Sequence, residues 1–257
     1  MEPRIATRPR AFVRAAGPDS ASYLQRMLSN DVEALGLGES CEALLLTPKG
    51  RVIAPMRVLR RGDDDFLLLT EPEAAEPLRA ELQRMRFAAK VEIEPEEHRS
   101  YLLVGDANGG IPNSDYGIPA GEILDADPPA LPALSEEELE ALRIEAGKPR
   151  FGTEIDDSIL PAEAGLDETH ISFTKGCFPG QEPVARLHYR GHPNRRLRVL
   201  EADKAEPGTD LVWEGKVVGR VTSSVPGLAL GYVRNEVPDD ALLELAGAEG
   251  HARMRPA

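Results

Sequence analysis

Apolar positions recur along this chain with two different periods, and where the period changes marks the expected elements. Residues 11–14 read as a short strand closed by Gly17-Pro18, after which Asp19 or Ser20 caps a helix with Ala21, Leu24, Met27 and Leu28 on one face. Ser29-Asn30-Asp31 ends that helix with small polar side chains, which form local hydrogen bonds. Residues 42–47, with Ala43-Leu44-Leu45-Leu46 at their centre, read as a buried strand and 52–59 as a second, joined by the turn Pro48-Lys49-Gly50-Arg51, so a hairpin is predicted. A third strand spans 66–70. Pro72 then opens a helix whose apolar face is Ala75, Leu78, Leu82 and Met85. Strands at 91–93 and 101–104 follow, and residues 106–134, rich in Gly, Pro, Asn and Asp, read as loops and a crossover. Ser135-Glu136-Glu137-Glu138 is a capping box that opens a helix stopped by Gly147 and Pro149. Beyond residue 197 the pattern turns to five short alternating strands, at 198–202, 211–213, 216–222, 229–233 and 242–245, which predict a small barrel or sandwich. The fold class is therefore α+β with a β-rich end.

Composition narrows the function. A chain of 257 residues can bury a substantial core. Its net charge of −14 speaks against nucleic-acid or anionic-membrane binding as a whole-surface property. No apolar run is long enough to span a bilayer and no signal-like segment follows Met1-Glu2-Pro3-Arg4, so a cytoplasmic protein is expected. Cys41 and Cys177 are the only thiols, too few for a disulfide scaffold or for a cluster held by one chain, and no metal site is expected.

Candidate chemistry concentrates in Lys175-Gly176-Cys177-Phe178-Pro179-Gly180-Gln181-Glu182, ahead of a short helical pattern carrying Arg186. Two glycines flank the thiol and allow a sharp turn or close backbone approach. Lys175 and a helix starting near Gly180 would favour the thiolate of Cys177. An incidental thiol in a Gly-rich loop explains the composition equally well. Arg143 and Glu145 close the helix that Ser135 opens. A carboxylate at that end is disfavoured by up to about 1 kcal/mol, so Glu145 is either paired or kept for a ligand. Arg186, His188, Arg190, His192, Arg195, Arg196 and Arg198 form a local basic run in an acidic chain. It reads first as a solvated face, then as a surface for an anionic ligand or partner. Among interleaved residues only Tyr189 is aromatic, which makes a tRNA-binding reading the weakest.

These motifs together resemble the YgfZ family of folate-binding proteins, relatives of the glycine-cleavage T-protein. The octapeptide is similar to the K-G-C-[FY]-x-G-Q-E signature. Leu28-Ser29-Asn30-Asp31-Val32 resembles L-[ST]-N-D-V, Arg143-Ile144-Glu145-Ala146-Gly147 resembles R-x-E-x-G, and residues 218–223 with 228–233 resemble the C-terminal barrel. The resemblance implies a three-lobed T-protein-like ring around tetrahydrofolate: a discontinuous α+β folate-binding lobe (1–48 and 135–190), an inserted ferredoxin-like lobe (49–134) and a barrel (191–257). It implies that Glu145, with Arg143, Asn30 and Asp31, lines the folate site. Cys177 and Lys175 would carry the chemistry, set in a motif of Gly176, Phe178, Gly180, Gln181, Glu182 and Arg186. It further implies an accessory role toward iron–sulfur client or assembly proteins, and through them tRNA modification. One departure matters: where aminomethyltransferases carry an Asp-Asp pair, this chain has Ala54-Pro55, and neither can act as acid, base or electrostatic stabiliser. Glycine-cleavage chemistry is therefore not expected, and a different folate-dependent one-carbon transfer is the alternative.

Overall fold

The computed structural model describes residues 2–106, 108 and 110–256; the expected limits at residues 1 and 257 lie outside these. From the N-terminus come β1 (Arg4–Ala6), β2 (Ala11–Ala16), α1 (Ser20–Met27), β3 (Ser40–Leu46), β4 (Val52–Gly62), β5 (Asp65–Thr70), α2 (Pro72–Arg84) and β6 (Glu92–Glu96). β7 (Ser100–Val104), β8 (Ile111–Asn113), β9 (Ala120–Leu124), α3 (Glu136–Glu145), α4 (Asp167–His170) and α5 (Gln181–Arg190) follow. The chain closes with β10 (Arg195–Ala202), β11 (Asp210–Trp213), β12 (Lys216–Val225), β13 (Gly227–Arg234), β14 (Leu242–Leu245) and β15 (His251–Met254).

Three sheets result. A five-stranded sheet has the order β3-β4-β5-β2-β6, a four-stranded sheet the order β1-β7-β9-β8, and β10-β13-β12-β11-β14-β15 close into a barrel. The continuous apolar runs of β3 and β5 arise because both faces of the first sheet are covered. Ala43, Leu45, Phe66 and Leu68 face the core formed with α1 and α2. Leu44 and Leu46 turn to the opposite face, against Val52, Phe178, Val184 and Tyr232. Leu67 and Leu69 turn the same way and meet Phe12, with Ile111 and Leu124 of the second sheet packed against them. Helices thus cover one side of the sheet, and the cavity described below opens on the other.

The sequence reading needs two corrections here. Residues 106–134 are not all loop, because β8 and β9 lie within them and complete the second sheet. The first sheet also runs across the expected limit between residues 48 and 49. Gly50 donates its N–H to the Thr47 carbonyl at 2.8 Å, and the tight turn pairs β4 directly back on β3. β1, likewise, leaves the first segment to pair with β7. No described helix is long and apolar enough to cross a membrane.

Candidate functional site

A cavity of about 740 Å³ lies between the two open sheets and α3, within the size range of small-molecule sites. Its walls come from the β1–β2 connector (Arg8, Arg10), β3 (Glu42), β4 (Pro55, Met56, Arg57), the β8–β9 loop (Asp115, Tyr116), α3 (Glu140, Arg143) and His170. Lys148 and Arg150 add cations from the segment after α3.

A charge cluster holds these walls together. Arg8 donates to Asp115 at 3.0 Å, and Arg10 to Glu122 at 3.2 Å. Arg57, only 4% exposed, pairs with Glu42. Burial would raise the carboxyls of Asp115 and Glu122, but the arginines outweigh it and hold both below the usual range. Burial, with Arg10 and Arg8 adding to it, pushes Arg57 down to about 10, so it still carries its charge at neutral pH. Bringing so many ions out of water is costly unless every polar atom is paired. Four have no hydrogen-bond partner among the described residues: Arg57 Nη1, Arg8 Nε, Glu42 Oε1 and Glu122 Oε2, the two carboxylate oxygens keeping only ion-pair contacts with Arg57 and Arg8.

Burial also lowers His170 to about 4, with Arg57 and Lys148 adding to it and Asp115 opposing. Glu42 lies 3.8 Å from the ring but is already engaged by Arg57. His170 is therefore neutral at pH 7 and Nδ1 lies 2.8 Å from the Thr169 hydroxyl. Because the folded value lies below the unfolded 6.5, the unfolded chain binds the extra proton first. Stability should consequently fall as pH drops from about 6.5 to about 4, by roughly 2 kcal/mol after discounting residual solvation. Urea unfolding across that window should show a visibly shallower pH slope for His170→Gln. An unchanged slope would mean that His170 is not held neutral.

The residues expected from the motifs divide between two places. Of those assigned to the ligand, only Arg143 reaches the cavity wall. Glu145 is exposed and sits 3.5 Å from Arg255 on the outer surface, because residues two apart on a helix point to nearly opposite sides. Asn30 and Asp31 organise a turn: Asn30 Nδ2 donates to the Glu42 carbonyl at 2.7 Å, and Asp31 accepts from Gln25 at 3.0 Å.

Lys175 is held by backbone carbonyls at the end of α1. Its ammonium donates to the carbonyls of Leu28 at 2.6 Å and Asn30 at 3.0 Å, and also to that of Gln25, closing the C-terminal end of α1. Burial lowers it to about 8. Phe178 is buried in the core behind β3, Gly180 precedes α5 with φ +78°, and Glu182 lies in the first turn of α5. Gly176, Cys177 and Arg186 are exposed, and Gln181 is partly exposed. Cys41 is the inert thiol, pushed up to about 11 by burial.

No protein-family model matches the chain. It is 29% identical over 239 residues to the tRNA-modifying protein YgfZ of Escherichia coli O157:H7, covering 78% of this chain and 73% of that one. To the tRNA-modifying protein YgfZ of Photorhabdus laumondii it is 24% identical, covering 94% and 87%. Its fold superposes on the crystal structure of glycine cleavage system aminomethyltransferase T from Bartonella henselae with a TM-score of 0.80, at 18% identity, over 97% of this chain and 84% of that one. The chain is YgfZ-like in sequence and aminomethyltransferase-like in fold. Pro55 lies on the cavity wall and offers only its carbonyl, which accepts from the Thr70 hydroxyl at 2.6 Å.

Sequence reasoning missed Arg8, Arg10, Arg57, Asp115, Tyr116, Glu122 and His170. One signal was present. Arg57 interrupts the apolar run of β4, and a charge in a strand buried on both faces needs a partner.

Proposed function

We propose that the cavity binds a reduced folate and that the protein supports tRNA modification, acting on iron–sulfur enzymes through the exposed thiol of Cys177. The observation that carries the folate reading is the pair of partnerless nitrogens on Arg8 and Arg57 beside the carboxylate of Asp115. A pterin edge presents both donors and acceptors. Asp115 and Glu42 can accept from its amino group, while Arg57 and neutral His170 can complement its ring oxygen and nitrogens. Lys148 and Arg150 suit the carboxylates of the glutamyl tail. Bound tetrahydrofolate would supply one-carbon chemistry. The chain itself would hold and orient the ring, since Ala54 and Pro55 bring no carboxylate to the transferase position. The names of the YgfZ relatives support the tRNA-modification part of the reading. With Cys41 half-buried and Cys177 exposed, the thiol best placed to meet a client protein is Cys177.

Anaerobic titration calorimetry with tetrahydrofolate should give saturable binding. Asp115→Asn and Arg57→Gln should each weaken it about ten-fold or more, while Glu145→Ala and Cys177→Ala bind as wild type. Absence of any binding heat would end the folate reading. In a strain lacking the endogenous protein, Cys177→Ala should fail to restore iron–sulfur enzyme activity; full restoration would leave the thiol without a functional role.

A further inference from the structure

We infer that the outward face of α5, with the loop that precedes it, is a binding surface for unpaired RNA. Among the described residues of α5 only Val184 is fully buried, whereas Arg186, His188, Tyr189 and Arg190 are exposed, as is His192 just beyond. The fold supplies aromatic partners that chain order conceals. Phe173, from the loop before the octapeptide, stacks on His188 with ring centroids 3.9 Å apart and planes at 16°. Tyr189 stands edge-on to both, at 5.8 Å and 4.9 Å, yet remains 66% exposed. A large aromatic ring held by two others and still offered to solvent makes a stacking platform for a base.

Charge on this face fits the same partner. Arg195 and Arg198 are taken by Glu163 and Asp239. Arg186 and Arg190, one helical turn apart, make no ion pair among the described residues, and neither does exposed Arg196 at the start of the barrel. The acidic groups nearby are Glu182, one turn before Arg186, and Asp167, 3.7 Å from His188. Unpaired guanidinium groups flanking a base-sized ring favour a strand with exposed bases. A duplex hides its base faces, and an acidic peptide would use the arginines but not the ring. The overall charge of −14 opposes polyanions at long range, so the contact should be local and salt-sensitive. The choice of RNA rests on the tRNA-modification reading above.

Fluorescence anisotropy can test this on the full chain, using a labelled RNA hairpin with an unpaired loop and a fully paired RNA duplex of equal length. The hairpin should bind more tightly than the duplex. Tyr189→Ala should weaken hairpin binding about ten-fold while sparing the weaker duplex binding. Arg186→Gln with Arg190→Gln should weaken both and reduce the salt dependence by roughly two phosphate contacts. Failure of the hairpin to bind at low salt, equal binding of hairpin and duplex, or wild-type behaviour of both variants would overturn the inference. Tetrahydrofolate titration of the same variants should be unchanged. Loss of folate binding in the wild type would overturn only the cavity reading, since the two surfaces share no residue.

Discussion

Arg143→Ala should lower folding stability by about 3–5 kcal/mol, although Arg143 entered as a ligand-binding candidate. Its guanidinium joins three parts of the molecule. Nη1 donates to Glu154 at 3.0 Å and Nη2 to the Ser223 hydroxyl at 2.8 Å, while Nε and Nη2 both reach Glu140, at 3.0 Å and 2.6 Å. Glu154 has no side-chain exposure and also accepts from Ser223 at 2.5 Å and from the Arg150 N–H at 3.0 Å. Ser223 follows a register shift in β12, where a bulge re-aims the side chain out of the barrel wall. Deleting the arginine strands a buried carboxylate, which costs far more than losing a surface pair. Arg143→Lys should fall between, because one ammonium cannot reproduce the fork. Glu145→Ala, two residues away on the outer side, should stay within about 0.5 kcal/mol. Urea unfolding followed by Trp213 fluorescence reports on the barrel directly; a loss below 1 kcal/mol for Arg143→Ala would show that the clasp does not carry the barrel.

The contrast between Arg143 and Glu145 shows what a motif conveys and what it leaves out. Capping signals were legible: Ser135 accepts from the Glu138 N–H at 3.1 Å and Glu138 accepts from the Ser135 N–H at 2.8 Å, as the capping box requires. Gly147, with φ +67°, stops that helix where expected. Which residue of R-x-E turns inward depends on what the helix packs against, and α3 packs on the barrel, a contact far away in sequence. The same limit hid β8 and β9. They hold only three and five residues, and Pro112 lies on β8, an edge strand, where its missing N–H costs no ladder bond. With those strands unread, Asp115, Tyr116 and Glu122 could not be placed in a site. Hydrophobic runs are local statements, and a charged cavity built from segments far apart in the chain is not.

Gly180→Ala should cost about 3 kcal/mol or more, which assigns the second signature glycine to architecture. An alanine Cβ there would sit 2.5 Å from the Thr47 carbonyl oxygen and 2.9 Å from the Gly50 Cα, both backbone atoms of the first hairpin turn. The residue also holds φ +78°, a region that costs an L side chain roughly 1–2 kcal/mol before any clash. Gly50 completes the contact at φ +74°, with room for a Cβ only at 3.1 Å from Pro183 and Val184. Gly176 differs: a Cβ there would meet nothing within 4 Å, so Gly176→Ala should be near neutral. Equal stability of the two variants would mean that the turn and the loop do not bear on each other. The expected difference separates the halves of the signature. Gly180 locks the loop to the β3–β4 turn, Phe178 anchors it in the core and Lys175 ties it to α1. Fastened at these three points, the loop leaves Gly176 and Cys177 facing solvent. The signature therefore specifies a fixed mount for an outward thiol, and the cavity is assembled from residues the signature does not contain.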